Sequence, residues 1–196
     1  MGVEHTLIRR KLWWRARRLG MFGFGKDQSI LEVGCGDGLN LAILKQWGYK
    51  AVGVDMSGFL VERARAWGVA AVVGRAEKLP VAAASFGVVL LDSVVYRIGK
   101  RAVVWREIRR VLAKDGVVAI IEARMSLWRW MMDRLTLWGL PGFGNRRRAY
   151  LAEKGVLEAW LRIEPKFWAR LERAGFKKVW QKRDWLSVVS LYRKID

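Results

Sequence analysis

The strongest constraint on this 196-residue chain lies between Ser29 and Ser57. Ser29-Ile30-Leu31-Glu32-Val33 is an apolar run holding one acid, and it meets three glycines at alternate positions, Gly34, Gly36 and Gly38. A helical span follows, then a second apolar run, Val52-Gly53-Val54, that closes on Asp55. A strand that turns on glycines into a helix and returns as a second strand is the opening unit of a parallel sheet. The carboxyl edge of such a sheet receives a nucleoside-bearing cofactor. The glycines permit a tight turn and a close backbone approach, and the helix start offers free N–H groups. Asp55 is placed to accept hydrogen bonds from a ribose diol. The nicotinamide pattern would want its third small residue at position 39, which is Leu39; here the third glycine falls at 38.

The middle of the chain keeps this alternation. Strands are expected over 29–34, 50–54, 69–73, 86–92 and 116–122, and helices over 39–48, 57–67 and 100–113. Each strand is a short Val/Ile/Leu-rich run, as required when helices cover both faces. Gly48, Gly68 and Asp115-Gly116 supply the stops and turns. Right-handed crossovers then give a doubly wound sheet. Residues 7–19 read as a helix with Ile8, Leu12, Ala16 and Leu19 on one side, Trp13 and Trp14 flanking it, and Arg10, Arg17 and Arg18 opposite. Met21 to Lys26, with Gly20, Gly23 and Gly25 around them, read as a flexible joint.

Residues 123–164 break the pattern. Met125 to Trp138 is apolar nearly all round, and Leu140 to Asn145 is turn-rich. Arg146-Arg147-Arg148 and a helix from Tyr150 to Arg162 follow. Pro165 opens a last helix ending near Ala174-Gly175, and Phe176–Arg183 and Leu186–Arg193 form a closing hairpin. A single domain over 1–196 is expected, with 1–26 as a basic helical cap and 123–164 as an inserted helical lid.

Composition narrows the classes. Hydrophobic residues are 53% of the chain, too many for a disordered one. One Cys, Cys35, and one His, His5, exclude an internal disulfide and leave no zinc-ligand cluster. Arginines interrupt any signal-peptide core in the first 26 residues. No run of about 18 uncharged apolar residues occurs, so no membrane-spanning helix is expected. The net charge of +19 is unevenly spread: residues 27–122 carry only +3, and nine of the 12 Trp lie outside them. The basic, Trp-rich character therefore belongs to the flanks, where a substrate or surface partner would be met.

Further motifs sharpen the reading. Ala76-Glu77-Lys78-Leu79-Pro80 with Ser85-Phe86, then Arg106-Glu107-Ile108-Arg109-Arg110-Val111-Leu112-Ala113-Lys114-Asp115-Gly116, then Ala174-Gly175-Phe176, join the Glu32-to-Asp55 unit. Together they resemble the class I S-adenosylmethionine-dependent methyltransferases, in the ubiquinone/menaquinone-methyltransferase-like branch. The resemblance implies a Rossmann-like, doubly wound, mostly parallel α/β sheet of seven strands in the order 3-2-1-4-5-7-6, the last strand antiparallel, with a helical lid. It implies S-adenosyl-L-methionine as cofactor. Gly34, Cys35, Gly36, Asp37 and Gly38 would line its amino-acid and ribose portions, and Glu32 would organise that loop. Asp55 would bind the ribose hydroxyls with Met56 against the adenine, Ala76 and Glu77 would border the adenine edge, and Asp92 would lie near the methionine moiety. Arg75 stands where the family often has an acid for the adenine amino group, and Tyr96-Arg97 stand where it often has a His pair. The acceptor chemistry thus departs from the family's default.

Methyl transfer from a sulfonium needs in-line approach and exclusion of water, and a base only if the nucleophile arrives protonated. Tyr96, after the fourth strand, is the candidate acceptor contact, and His5 is a second candidate as base. Trp128, Met131, Met132 and Leu135 of the lid offer an adaptable apolar substrate pocket. A small, hydrophobic or lipid-like acceptor is expected, met by a cytoplasmic protein that can sit peripherally on the inner face of an anionic membrane. Basic residues with interleaved aromatics also describe an RNA surface, so RNA methylation is the alternative. A non-catalytic scaffold of the same fold is the third reading.

Overall fold

The computed structural model describes residues 12–98, 101–123, 167–183 and 187–195. The expectations for His5, for the Tyr96 side chain and for the lid with Trp128, Met131, Met132 and Leu135 lie outside the described residues.

In chain order the elements are helix α1 (12–20), β1 (Ser29–Val33), α2 (Leu39–Gln46), β2 (Lys50–Asp55), α3 (Gly58–Arg65), β3 (Ala70–Val73), β4 (Phe86–Asp92), α4 (Arg101–Val111), β5 (Leu112–Ala123), α5 (167–173), β6 (Phe176–Arg183) and β7 (Ser187–Lys194). The seven strands form one sheet in the order β3-β2-β1-β4-β5-β7-β6. Strands β3, β2, β1, β4 and β5 pair in parallel, and β7 runs antiparallel to both β5 and β6. This is the expected Rossmann-like arrangement. The chain winds outward from β1 to β3 and then crosses back to place β4 on the other side of β1. That reversal opens a crevice between the carboxyl ends of β1 and β4.

Side-chain alternation explains why the central strands have no polar face. Leu31, Val33, Val89, Leu91, Val118 and Ile120 point to one side, onto α4 and α5 residues such as Val104, Ile108 and Leu171. Ile30, Val88, Leu90, Ala119 and Ile121 point to the other, onto Leu19 of α1 and Ile43 and Leu44 of α2. Period-two strands therefore read as continuous apolar runs, because each face meets its own helical layer. A third cluster under α3 joins Val61 and Ala64 to Leu41, Val69 and Ala71.

Three boundaries differ from the sequence expectations. Helix α3 begins after Ser57, whose hydroxyl accepts from the Leu60 N–H at 3.4 Å, so Ser57 is its N-cap. Strand β5 begins at Leu112, which pairs with Phe86 before the register shifts between Phe86 and Val88. Asp115 takes a positive φ of 58° there, so the Asp-Gly pair sits in an irregularity within the strand. The expected joint at Met21 to Lys26 is a packed segment. Phe22 and Phe24 are buried and stacked at 5.1 Å, with Trp180 against one ring and Tyr49 edge-on to the other. A glycine between the two phenylalanines leaves both rings free to face the sheet.

Candidate active site

The glycine loop is built from β1 and β2 together. The Gly34 and Cys35 N–H groups both donate to the Val54 carbonyl, at 2.7 and 3.1 Å, and the Gly38 N–H donates to the Cys35 carbonyl at 3.0 Å. The Asp55 carboxylate closes the frame. Its Oδ2 accepts from the Gly36 N–H and its Oδ1 from the Ser57 N–H, each at 2.9 Å. Each carboxylate oxygen retains capacity for a second donor, and Asp55 lines the cavity beside the loop. That cavity measures about 520 Å³ and lies at the carboxyl edge of β1, β2 and β4. Its size falls within the range for small-molecule and cofactor sites.

A second set of polar groups stands on the β4 side. Asp92 is almost fully buried, yet it lines the cavity. Its Oδ1 accepts from the Ser93 hydroxyl at 2.9 Å. Its Oδ2 accepts from Asn40 Nδ2 at 3.0 Å and from Arg15 Nη1 at 2.9 Å. Asn40 also donates to Glu32 Oε1 at 2.6 Å and accepts from Arg15 Nη1 at 3.0 Å. The result is a chain of contacts, Glu32–Asn40–Asp92–Arg15, running from the buried centre of β1 to the cavity wall. Glu32 is 1% exposed, and its Oε2 has no hydrogen-bond partner among the described residues. Burial pushes its carboxyl up to about 8; the Asn40 hydrogen bond pulls the other way and the Asp92 charge adds to the rise.

The remaining wall is a strap, residues 74–81, pinned from α4. Glu107 Oε2 accepts from the Leu79 N–H at 3.0 Å. Arg110 donates to the carbonyls of Val81 and Leu79, at 3.0 and 3.1 Å, and forms an ion pair of 2.8 Å with Glu107. The Arg110 hydrogen bond holds the Glu107 carboxyl below the usual range. This clamp explains physically why the Ala76–Pro80 and Arg106–Gly116 motifs occur in one chain. It sets Ala76 and Glu77 against the cavity, with Arg75 Nε 3.6 Å from Glu77 Oε2.

Of the sequence candidates, Gly34, Gly36, Asp55, Met56, Ala76, Glu77 and Asp92 all line the cavity. Glu32, Cys35, Asp37 and Gly38 do not. The Cys35 side chain is buried with Leu41 and Val61, and burial pushes its thiol up to about 12, so it stays neutral. Gly38 is the left-handed N-cap of α2 and lies close against Ala64. The backbone of residue 96 lies in a 3₁₀ turn, Val95–Arg97, between cavity-lining residues Val94 and Arg97. Arg15, Asn40 and Ser93 belong to the site without being marked by the sequence patterns. Asn40 carried a signal, as a polar residue on the buried stripe with Leu41, Ile43 and Leu44. Ser93 signals itself only in three dimensions, by its positive φ of 58°. Arg15 is one of several arginines in a basic helix and carried none.

Residues 31–120 match the family model described as a methyltransferase domain. Over those residues the chain is similar to that family. A protein named as a methyltransferase in Encephalitozoon cuniculi is 30% identical over 131 residues, covering 65% of this chain and 57% of that protein. The uncharacterized methyltransferase YodH of Bacillus subtilis is 32% identical over 106 residues, 51% of this chain and 45% of YodH. The chain thus spans about half the length of these two relatives. The PH0226 protein of Pyrococcus horikoshii has the same fold at a TM-score of 0.68 and 20% identity, with 95% of this chain and 91% of that one aligned. A TehB-like SAM-dependent methyltransferase from Corynebacterium glutamicum aligns at 0.65 and 17% identity, over 97% and 96% of the two chains.

Proposed function

We propose that the protein transfers the methyl group of S-adenosylmethionine to a small hydrophobic or lipid-like acceptor at an anionic membrane surface. The cavity suits the cofactor by its own geometry. A Cβ built on Gly36, which lines the cavity, would meet nothing within 4 Å, so the loop leaves open space there. Asp55 presents acceptors for a ribose diol, and the exposed Met56 side chain presents an apolar surface for a base. Gly34, Ala76, Glu77 and Asp92 complete the residues that would hold the group. When bound, that group supplies a methyl on a positively charged sulfur, whose departure as a neutral thioether needs no acid.

The protein's own residues then bind, orient and exclude water. The double backbone anchorage of Asp55 fixes the loop before binding, so little ordering is left to pay at that step. The β4–α4 connection at 93–98 supplies the wall from which an acceptor would be met, and the Tyr96 role belongs to this reading. The proposed place in the ubiquinone/menaquinone-like branch is supported by the Ala76–Pro80 and Arg106–Gly116 motifs.

One observation carries the membrane reading. Helix α1 sends Arg15 into the cavity while Trp13 and Trp14 are exposed at its outer face, 56% and 44%, with the Arg17 guanidinium within 6 Å of both rings. Exposed tryptophans beside cations suit the headgroup level of an anionic bilayer. No helix among the described residues is long and apolar enough to cross a membrane. A peripheral position on the cytoplasmic face is the localisation proposed. The test has two arms. Sedimentation with anionic vesicles should capture the wild-type protein and lose it when Trp13 and Trp14 become Ala. Extracts incubated with methyl-labelled cofactor should carry label in the lipid fraction. Label in RNA, with vesicle binding absent, overturns the acceptor reading in favour of RNA. The cofactor assignment is tested by Asp55→Ala, expected to weaken binding by about 1.5–3 kcal/mol, and unchanged calorimetric affinity would sink it.

A further inference from the structure

Arg15 is the one cation that α1 brings to the cavity, and the way it is held is unusual for a surface helix. Its side chain is 32% exposed, its partner Asp92 only 3%. Nη1 gives its two hydrogens to Asn40 Oδ1 and Asp92 Oδ2. The guanidinium has five donors. Its Nε and Nη2 donors make no hydrogen bond among the described residues, and the residue lines the cavity. The group is thus anchored on one side by a buried acid and an amide, which Glu32 fixes in turn. A guanidinium held in this manner is a rigid fork for a planar carboxylate. Of the other cavity arginines, Arg75 lies beside Glu77 on the strap.

Resting on the cofactor reading above, we infer that Arg15 receives the carboxylate of the cofactor's amino-acid moiety, with Asp92 and Asn40 as the groups that position it. The consequence is mechanical. Cofactor binding seats α1 on the cavity, and the same helix carries Trp13, Trp14 and Arg17 outward. The methyl donor thereby fixes the orientation of the surface proposed to meet the membrane.

The test compares two ligands that differ at this end: S-adenosylhomocysteine, which has the amino-acid carboxylate, and 5′-methylthioadenosine, which lacks it. Calorimetry on the full chain should show wild type preferring the first. Arg15→Gln should weaken S-adenosylhomocysteine by roughly 10- to 100-fold, the effect of losing a charge-assisted hydrogen bond. The same variant should leave 5′-methylthioadenosine within about threefold. Arg15→Lys keeps the charge without the fork, recovers part of the loss, and guards against a variant that fails to fold. Equal weakening of both ligands means a merely structural contact and overturns the inference, as does unchanged S-adenosylhomocysteine affinity. Wild type binding neither ligand overturns the cofactor reading itself, and this inference with it.

Discussion

Replacing Gly36 and Gly38 by alanine, one at a time, separates a binding glycine from a packing glycine two residues away. Both have positive φ, 54° and 78°. An L-residue in that region is strained by about 1–2 kcal/mol, partly offset by roughly 0.4–1 kcal/mol from the stiffer unfolded chain. For Gly36 nothing else is added, because its Cβ would meet open space. Gly36→Ala should therefore lower stability by only about 1 kcal/mol. For Gly38 the Cβ would come within 2.6 Å of Ala64 Cβ and 2.9 Å of Ala64 Cα, the latter a backbone atom that cannot rotate away. Overpacking of this kind adds about 1–3 kcal/mol, so Gly38→Ala should lose roughly 2–4 kcal/mol. Binding should show the reverse order. Gly36 lines the cavity, so a methyl added there should reduce S-adenosylhomocysteine affinity at least about tenfold. Folded Gly38→Ala should retain affinity within about threefold. Urea denaturation at constant m-value and calorimetry give the two readouts. If both variants lose stability equally, or if Gly36→Ala binds normally, the division of roles along the loop is wrong.

Two further outcomes follow from the polar groups. Glu32 has a folded pKa raised from 4.5 to about 8, so its neutral form is favoured by the fold and stability should fall as pH rises from 4.5 to 8. Glu32→Gln keeps an acceptor for Asn40 and should flatten that slope, gaining at most about 5 kcal/mol over wild type above pH 8; parallel stability curves would refute the buried-charge account. Arg110→Ala releases the strap at Leu79 and Val81 and should cost about 1–2 kcal/mol at neutral pH, given the partial exposure of the pair. Because Arg110 depresses the folded pKa of Glu107, this deficit should shrink as pH falls below 4.5 through that lower value, which a pH series of urea melts would follow.

The sequence by itself determined the alternation of strands and helices; the strand order came from the resemblance its motifs carry. Local signals suffice for the alternation: apolar runs of strand length, glycine punctuation, and an acid closing β2. It also marked Asp55, because the acid ends a strand and needs no distant partner to be recognised. What it could not show were the groups whose roles exist only between elements. Asp55 tying down the Gly36 and Ser57 amides depends on β1 and β2 lying side by side. The clamp of Glu107 and Arg110 on the strap joins residues about 30 apart in sequence. Arg15 and Asp92 are 77 residues apart, and only the docking of α1 on the sheet brings them to one cavity. The Phe22–Phe24 segment gives the converse case. Its glycines suggested freedom, but the tertiary fold offered its rings a buried face against Trp180 and Tyr49, and aromatic burial outweighed backbone permissiveness. Periodicity along the chain decides what a segment can become; which charge meets which is decided by where the sheet sets the segments down.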